Sequence, residues 1–296
     1  MHLNDLTILV LHYRTSDLLK ECLKRLVAFA PGARIVVLDS SPEKTLVPGL
    51  EVVHVPNLSF AHTLNCGLKL AHTPFVAHMN ADVFVTAETF PALLGAIRRP
   101  RVGMVGPRAR AEGGKFQDQG LPYRIHYARS RYQTSAAVPW LSGCLQLVRR
   151  DAALAVGGMD ASLRFYNEDI EWCTRFRRQG LRCELVQTDV LHLGGSSTPK
   201  DPRFLVEGYR GGYRLSQRYR GTLYQAAHRT VVRLLSAWER RFARDTVRQE
   251  AAQQISEMFR RGQFNESPFG PTLDSSNPAF GLKIATEDIH PLADRA

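Results

Sequence analysis

Four acids and one histidine stand where short apolar runs end, and their types suit two kinds of chemistry. Asp39 closes the β-rich run Arg34–Leu38, and Asp82 follows the almost wholly apolar run Phe75–Met79 through Asn80 and Ala81. Both would emerge at the carboxyl edge of a parallel sheet, where open α/β sheets hold their ligands. Two acids on one edge suit a hard divalent ion such as Mg2+ or Mn2+, which takes few protein oxygens and shares the rest of its shell with substrate phosphates. Taken singly, each also suits a turn, Asp39 ahead of Ser40-Ser41-Pro42 and Asp82 ahead of the next helix. Glu168 and Asp169 open a helical stretch; acids there complement the helix dipole by about 0.3–1 kcal/mol. A carboxylate so placed can equally take a proton from a reacting hydroxyl. His192 leaves a strand into Gly194-Gly195-Ser196, a loop in which an imidazole can approach a metal or a phosphate.

The elements that must position these residues alternate at short intervals, the pattern of a sheet with crossover helices. Strands are expected at Leu6–Leu11, Arg34–Leu38, Val52–Val55, Phe75–Met79, Leu141–Val148 and Arg182–Val186. Helices are expected at Asp17–Phe29, Ala61–Ala71, after Thr86 as cap, at Asp151–Val156 and at Glu168–Gln179. Pro107–Pro139 loses all periodicity and is too long for an ordinary connector, so it reads as a functional loop or lid. Leu11–Ser16 contains no glycine, which argues against a redox dinucleotide fold. The chain divides into 1–202, an α/β domain; 203–262, a basic amphipathic helical extension; and 263–296, a loosely ordered tail. In the extension, Leu223, Ala227, Val231, Leu234, Leu235, Trp238 and Phe242 form one stripe opposed by arginines. The stripe packs on the catalytic domain or on a second subunit, or enters a membrane interface; the first pair is the more ordinary reading.

Composition narrows the setting. The 296 residues are 44% hydrophobic and 23% charged, near globular averages, which excludes a disordered, collagenous or coiled-coil chain. Five cysteines without a C-x-x-C pair suggest neither a disulfide framework nor a zinc ribbon, and fit a reducing cytoplasm. No apolar run is long enough to span a bilayer, and Met1–Val10 does not read as an export signal. The net charge of +11 implies an anionic partner: nucleic acid, anionic lipid or a phosphorylated metabolite.

In order along the chain, these segments resemble the inverting glycosyltransferases of family 2, within them the bacterial rhamnosyltransferase-like branch, over roughly residues 5–200. The resemblance rests on Val36-Val37-Leu38-Asp39, on Asn57, Phe60, Asn65 and Gly67 in an Asn-x-x-Phe-x-x-x-x-Asn-x-Gly pattern, and on Asn80-Ala81-Asp82. It continues through Gly143–Arg150, Gly157-Gly158-Met159-Asp160, Glu168-Asp169 followed by Cys173, Arg175 and Gly180, and His192-Leu193-Gly194-Gly195-Ser196. Two departures stand out: Asp39-Ser40-Ser41-Pro42-Glu43 lacks the family's usual Asn and second Asp, and Asn80 replaces the first acid of the strict metal motif.

The resemblance implies a GT-A fold, a Rossmann-like mixed sheet flanked by helices, here with the C-terminal helical extension. It implies a nucleotide-diphosphate sugar donor, a glycan or lipid-linked acceptor and a Mg2+ or Mn2+ cofactor. Carried over, Asp169 becomes the catalytic base with Glu168 beside it; Tyr13, Asp39, Asn57, Phe60, Asn65 and Asn80 bind the nucleotide sugar; Asp82 and His192 hold metal; Trp140, Gly143 and Arg175 lie on the acceptor side. The expected location is the cytoplasm, extending to a peripheral position at the inner membrane face, and a homodimer is among the expected partners. Two other readings stay in view: a nucleotide-sugar-binding protein without turnover, and a basic nucleic-acid-binding protein using Arg108, Arg110, Arg124, Arg129 and Arg131. The second lacks any accompanying nucleic-acid motif, so no nucleic acid is expected.

Overall fold

The computed structural model describes residues 3–117, 136–195, 199–272, 282 and 290–291. Its frame is one mixed sheet. In chain order the strands are β1 (Leu6–His12), β2 (Arg34–Asp39), β3 (Glu51–His54), β4 (Phe75–Asn80), β5 (Val83–Phe84), β6 (Val102–Arg110), β7 (Ala136–Ala137), β8 (Leu145–Arg149), β9 (Arg182–His192) and β10 (His290–Pro291). Across the sheet the order is β10-β3-β2-β1-β4-β8-β6-β9-β5, with β7 also paired to β9. The helices are α1 (Ser16–Phe29), α2 (Phe60–Leu70), α3 (Thr89–Ile97), α4 (Arg150–Ala155), α5 (Glu168–Arg178), α6 (Pro202–Tyr219), α7 (Thr222–Phe242) and α8 (Thr246–Arg261).

β1 shows why the sheet lies inside. Every residue of it is buried, and because side chains alternate, Ile8 and Val10 join a core with Leu19, Cys22, Leu23 and Leu26 of α1. Leu9 and Leu11 point the other way, into a core with Leu64 and Leu68 of α2 and Trp172 and Phe176 of α5. Gly67 permits the second contact: a Cβ there would lie 2.6 Å from Leu9 Cδ1 and 2.7 Å from Leu38 Cδ1.

Strand register gathers the site. β1 runs parallel to β2 with His12 opposite Asp39, and parallel to β4 with Leu11 opposite Asn80. The antiparallel β8 places Leu145 opposite Met79, which brings Gly143 and Cys144 to the same edge. β5 pairs antiparallel with β9, Val83 opposite His192, and so sets Asp82 beside a histidine 110 positions away.

Several expectations need correction. Pro107–Arg110 is not loop but the end of β6, hydrogen-bonded to β9; residues 118–135 of the expected lid lie outside the described residues. β8 starts at Leu145 rather than Leu141, and β9 extends to His192. Thr86 does not cap α3; its N–H instead donates to Thr89 Oγ1 at 3.0 Å. Of the expected tail, Phe264 packs on the body, buried among Tyr213, Ile255 and Phe259; most of residues 273–296 lie outside the described residues.

α6 is tied to the sheet side by buried charge. Glu207 and Arg210, both fully buried, pair at 2.6 Å, and Arg210 also donates to the carbonyls of Ser162 and Phe264. Arg218 bridges Asp160 at 2.8 Å and Glu171 at 3.0 Å. α7 differs. Its buried residues are Val232 and Ser236, and the apolar stripe from Leu223 to Phe242 is exposed rather than packed on the catalytic domain.

Candidate active site

At the sheet edge lies a cavity of about 540 Å3 lined by Tyr13, Asn57, Phe60, Asn80, Asp82, Gly143, Glu168, Asp169 and His192, nine of the residues singled out from sequence. A larger groove of about 840 Å3 between α1 and residues 41–48 contains neither Asp82 nor Asp169.

On one side, Asp82 and His192 face each other, Oδ1 to Nε2 at 3.5 Å. Asp82 Oδ2 accepts the Gly194 N–H at 3.1 Å. The imidazole's proton can be located from its neighbour. Gln117 Nε2 donates to the His192 carbonyl at 2.8 Å, which fixes the amide so that Oε1 faces Nδ1 at 2.6 Å. An amide oxygen only accepts, so Nδ1 carries the hydrogen and Nε2 turns its lone pair toward the carboxylate. Two electron-rich atoms converging in this way fit a cation between them. Burial lowers the imidazole's pKa, partly offset by Asp82, which favours the neutral, ligating form. Among the described residues no group of three or more His, Cys, Asp or Glu side chains gathers, so protein donors would fill only part of an ion's shell. That suits Mg2+ or Mn2+ shared with phosphate oxygens.

On the other side, α5 presents Glu168 and Asp169 from its first turn. The approach is strained: Tyr166 and Asn167 both have positive φ, 68° and 69°. Asn tolerates this conformation better than Tyr, and such residues cost of order 1–3 kcal/mol unless held by their surroundings. The hold comes from α6. Asn167 Nδ2 donates to the Gly208 carbonyl at 2.9 Å, and a Cβ on Gly211 would come within 2.9 Å of that same nitrogen. Asp169 Oδ2 accepts from Gly143 N–H at 3.1 Å and Oδ1 from Ile170 N–H at 2.8 Å. Burial raises the Asp169 carboxyl above its usual range against those donors. Burial, reinforced by the charge of Asp169, raises Glu168 further, and Glu168 Oε2 has no hydrogen-bond partner among the described residues.

Four expected site residues lie elsewhere. Asp39 is fully buried beneath the edge: Oδ1 accepts from His12 Nδ1–H and Ser41 N–H, both at 3.0 Å, and Oδ2 from Thr45 N–H at 2.8 Å. Thr15 N–H donates to His12 Nε2, which leaves Nδ1 to carry the hydrogen that Asp39 accepts. Burial opposes the charge of Asp39, but these bonds outweigh it and hold the carboxyl well below the usual range. Asp39 therefore shapes the two loops that flank the cavity, and its neighbour Ser40 faces the ligand space. Asn65 clamps the Gly157–Asp160 turn, bonding both the N–H and the carbonyl of Met159 at 2.8 Å. Arg175 is spent on Glu171 and the Val156 carbonyl. Trp140 packs half-buried against the α2 side of the core.

The sequence reading missed an aromatic wall of Phe165, Phe204 and Phe269, whose rings meet at 4.9–5.0 Å. Phe165 adjoins the Glu-Asp helix and could have been suspected; nothing local marks Phe269. Of the arginines in the nucleic-acid reading, Arg108 and Arg110 pair with Asp189 and lie over the Phe116 ring. Arg124, Arg129 and Arg131 lie outside the described residues.

The profile of glycosyl transferase family 2 matches residues 7–157. An N-acetylglucosaminyl-diphospho-decaprenol L-rhamnosyltransferase of Mycobacterium tuberculosis is 30% identical over 190 residues, which cover 51% of this chain and 62% of that protein. A pre-mycofactocin glycosyltransferase of the same organism is 27% identical over 175 residues, 54% of this chain and 37% of that protein. The chain thus spans less than two thirds of the length of either relative. Among solved structures, GalNAc-T7 with UDP, GalNAc and Mn2+ superposes with a TM-score of 0.55 at 13% identity, covering 72% of this chain and 50% of that one. Staphylococcus aureus TarS 1-349 gives 0.54 at 13% identity, covering 89% and 92%. At such low identity these likenesses speak to fold alone, and the fold is GT-A.

Proposed function

Because the chain belongs to glycosyl transferase family 2, we propose that it moves a hexosyl or deoxyhexosyl group from a nucleotide-diphosphate sugar to a hydroxyl of a glycan or lipid-linked acceptor, with inversion. The observation that carries this reading is the cavity itself, with an Asp82–His192 pair on one wall and the buried Glu168 beside the half-buried Asp169 on the other. Asp82 and His192 Nε2 would hold a Mg2+ or Mn2+ ion. When bound, it supplies Lewis-acid compensation for charge gathering on a departing diphosphate. Tyr13, Ser40, Asn57, Phe60 and Asn80 then form the donor wall.

Asp169 accepts the proton of the acceptor hydroxyl as that oxygen bonds to the anomeric carbon and the bond to the diphosphate oxygen breaks. Its raised pKa brings it closer to the strength a base needs at neutral pH, while the Gly143 and Ile170 N–H groups fix its orientation. The free Oε2 of Glu168 offers a partner to a sugar hydroxyl. The wall of Phe165, Phe204 and Phe269 takes the acceptor-side place first given to Trp140 and Arg175 and suits an apolar or ring-stacked acceptor group. Residues 1–202 form the catalytic core, and 203–262 the extension whose first helix completes it. The relative that acts on a diphospho-decaprenol substrate supports a lipid-linked acceptor and a position at the inner membrane face; no helix among the described residues is long and apolar enough to cross a membrane.

Asp169→Asn tests the reading. Transfer should fall by about 100- to 10,000-fold, the worth of a positioned base, with nucleotide affinity kept. Transfer within a few-fold of the parent would remove Asp169 from the chemistry. Retention of the anomeric configuration in the product, read by NMR, would remove the single-displacement mechanism.

A further inference from the structure

α7 bears a surface that the described chain does not cover. At about 100° per residue, Leu223, Ala227, Val231, Leu234, Trp238 and Phe242 share one sector of the helix, and the buried Val232 and Ser236 lie outside it. Leu223 is 85% exposed, Leu234 67%, Trp238 59% and Phe242 60%. With 21 residues the helix is about 31 Å long, so this is a continuous apolar strip rather than scattered exposed side chains. Arg233 and Arg240 run along one edge of it, Arg241 sits near its end, and Arg244 follows just past the helix. Among the described residues none of these four has a carboxylate partner. The one acid of the helix, Glu239, projects from the other flank.

We infer that this face of α7 lies flat on an anionic phospholipid bilayer, the apolar strip entering the headgroup–acyl boundary and the arginine row resting on lipid phosphates. The charge selects this occupant. A bilayer carrying anionic lipid complements an uncompensated arginine row beside an apolar strip containing Trp and Phe. A second copy paired antiparallel across the strip would instead set arginine row against arginine row. Placement agrees: Glu250 and Gln254 of α8 share a shallow cavity with Pro199–Arg203, and Asp201, Arg203 and Phe204 also line the active-site cavity. The Trp238–Phe242 end of the strip, joined to α8 through Ala243–Asp245, therefore lies on the side where that wall is built. The link to a lipid-linked acceptor rests on the proposed function; the membrane contact rests on the helix surface alone.

The test is flotation of the full chain with vesicles of phosphatidylcholine alone and of phosphatidylcholine with phosphatidylglycerol, at two ionic strengths. Binding should require phosphatidylglycerol and weaken with salt. Replacing Arg233, Arg240 and Arg241 together by Gln should lower the partition coefficient roughly 100-fold, about fivefold for each charge. Trp238→Ser with Phe242→Ser should abolish binding while leaving Tm and the far-UV circular dichroism spectrum unchanged, which shows the fold intact. No binding, equal binding to neutral vesicles, or a dimer in analytical ultracentrifugation that these serines dissolve would overturn the inference. Failure of every nucleotide sugar to stabilise the parent chain would overturn the proposed function and leave the membrane contact standing.

Discussion

Gln117 decides which nitrogen of His192 is free, and replacing it should be felt as metal affinity. The 2.6 Å contact from Nδ1–H to Gln117 Oε1 and the 2.8 Å bond from Gln117 Nε2 to the His192 carbonyl fix both the tautomer and the ring plane. Gln117→Leu removes both, so the ring is free to place its proton on Nε2 and to turn from Asp82. Losing such a partner behind a metal-binding histidine costs 10- to 100-fold in affinity, or about 1.4–2.8 kcal/mol. Gln117→Glu keeps an acceptor for Nδ1–H and makes the imidazole more basic, so it should bind at least as tightly as the parent. Mn2+ titration followed by electron paramagnetic resonance, with a nucleoside diphosphate present, measures this without turnover. The reasoning is refuted if the leucine variant binds Mn2+ like the parent, or if the glutamate variant loses as much as the leucine.

Two further perturbations probe the frame that holds the site. Arg210→Ala strands the buried Glu207 carboxylate and should cost about 3–5 kcal/mol, lowering Tm by about 6–20 °C; calorimetry showing a drop under about 2 °C would contradict the clamp. Glu168 holds its proton more tightly when folded than when unfolded. Native stability should therefore fall as pH rises from the ordinary carboxylate range through the raised value. Glu168→Gln removes that loss, so Tm should gain about 1–8 °C at pH 7, from roughly 0.5–2 kcal/mol, and nothing below pH 4. A gain independent of pH would show that charge is not its cause.

The sheet was legible because its strands are short, apolar and bounded, and because both faces of β1 are buried. The strand β6 was not, since Gly103, Gly106 and Pro107 interrupt its pattern, and pairing with β8 and β9 keeps it extended. Asp82, Glu168, Asp169 and His192 meet at one cavity; singly each also suits a turn or a helix start, and it was their company and order along the chain that marked them. Asp39, Asn65 and Arg175 misled for one physical reason. A polar side chain serves equally well to bind a ligand or to satisfy buried backbone, and only the neighbours brought by the fold decide which. Phe269 and Gln117 carried no local signal; each reaches the site through contacts spanning more than 60 residues. The stripe on α7 was visible in sequence, but which side of the helix the protein covers depended on the packing of α6 and α8.

The claim on which the rest depends is that Asp82 and His192 bind the diphosphate end, with a divalent ion, of the donor whose sugar Asp169 helps transfer. Thermal stabilisation across a panel of nucleotide sugars, with and without Mn2+, in the parent and in Asp82→Ala, tests it most directly. One donor should stabilise the parent only when Mn2+ is present, and should fail to stabilise the variant. Equal stabilisation without the ion, or stabilisation unchanged by Asp82→Ala, would contradict it.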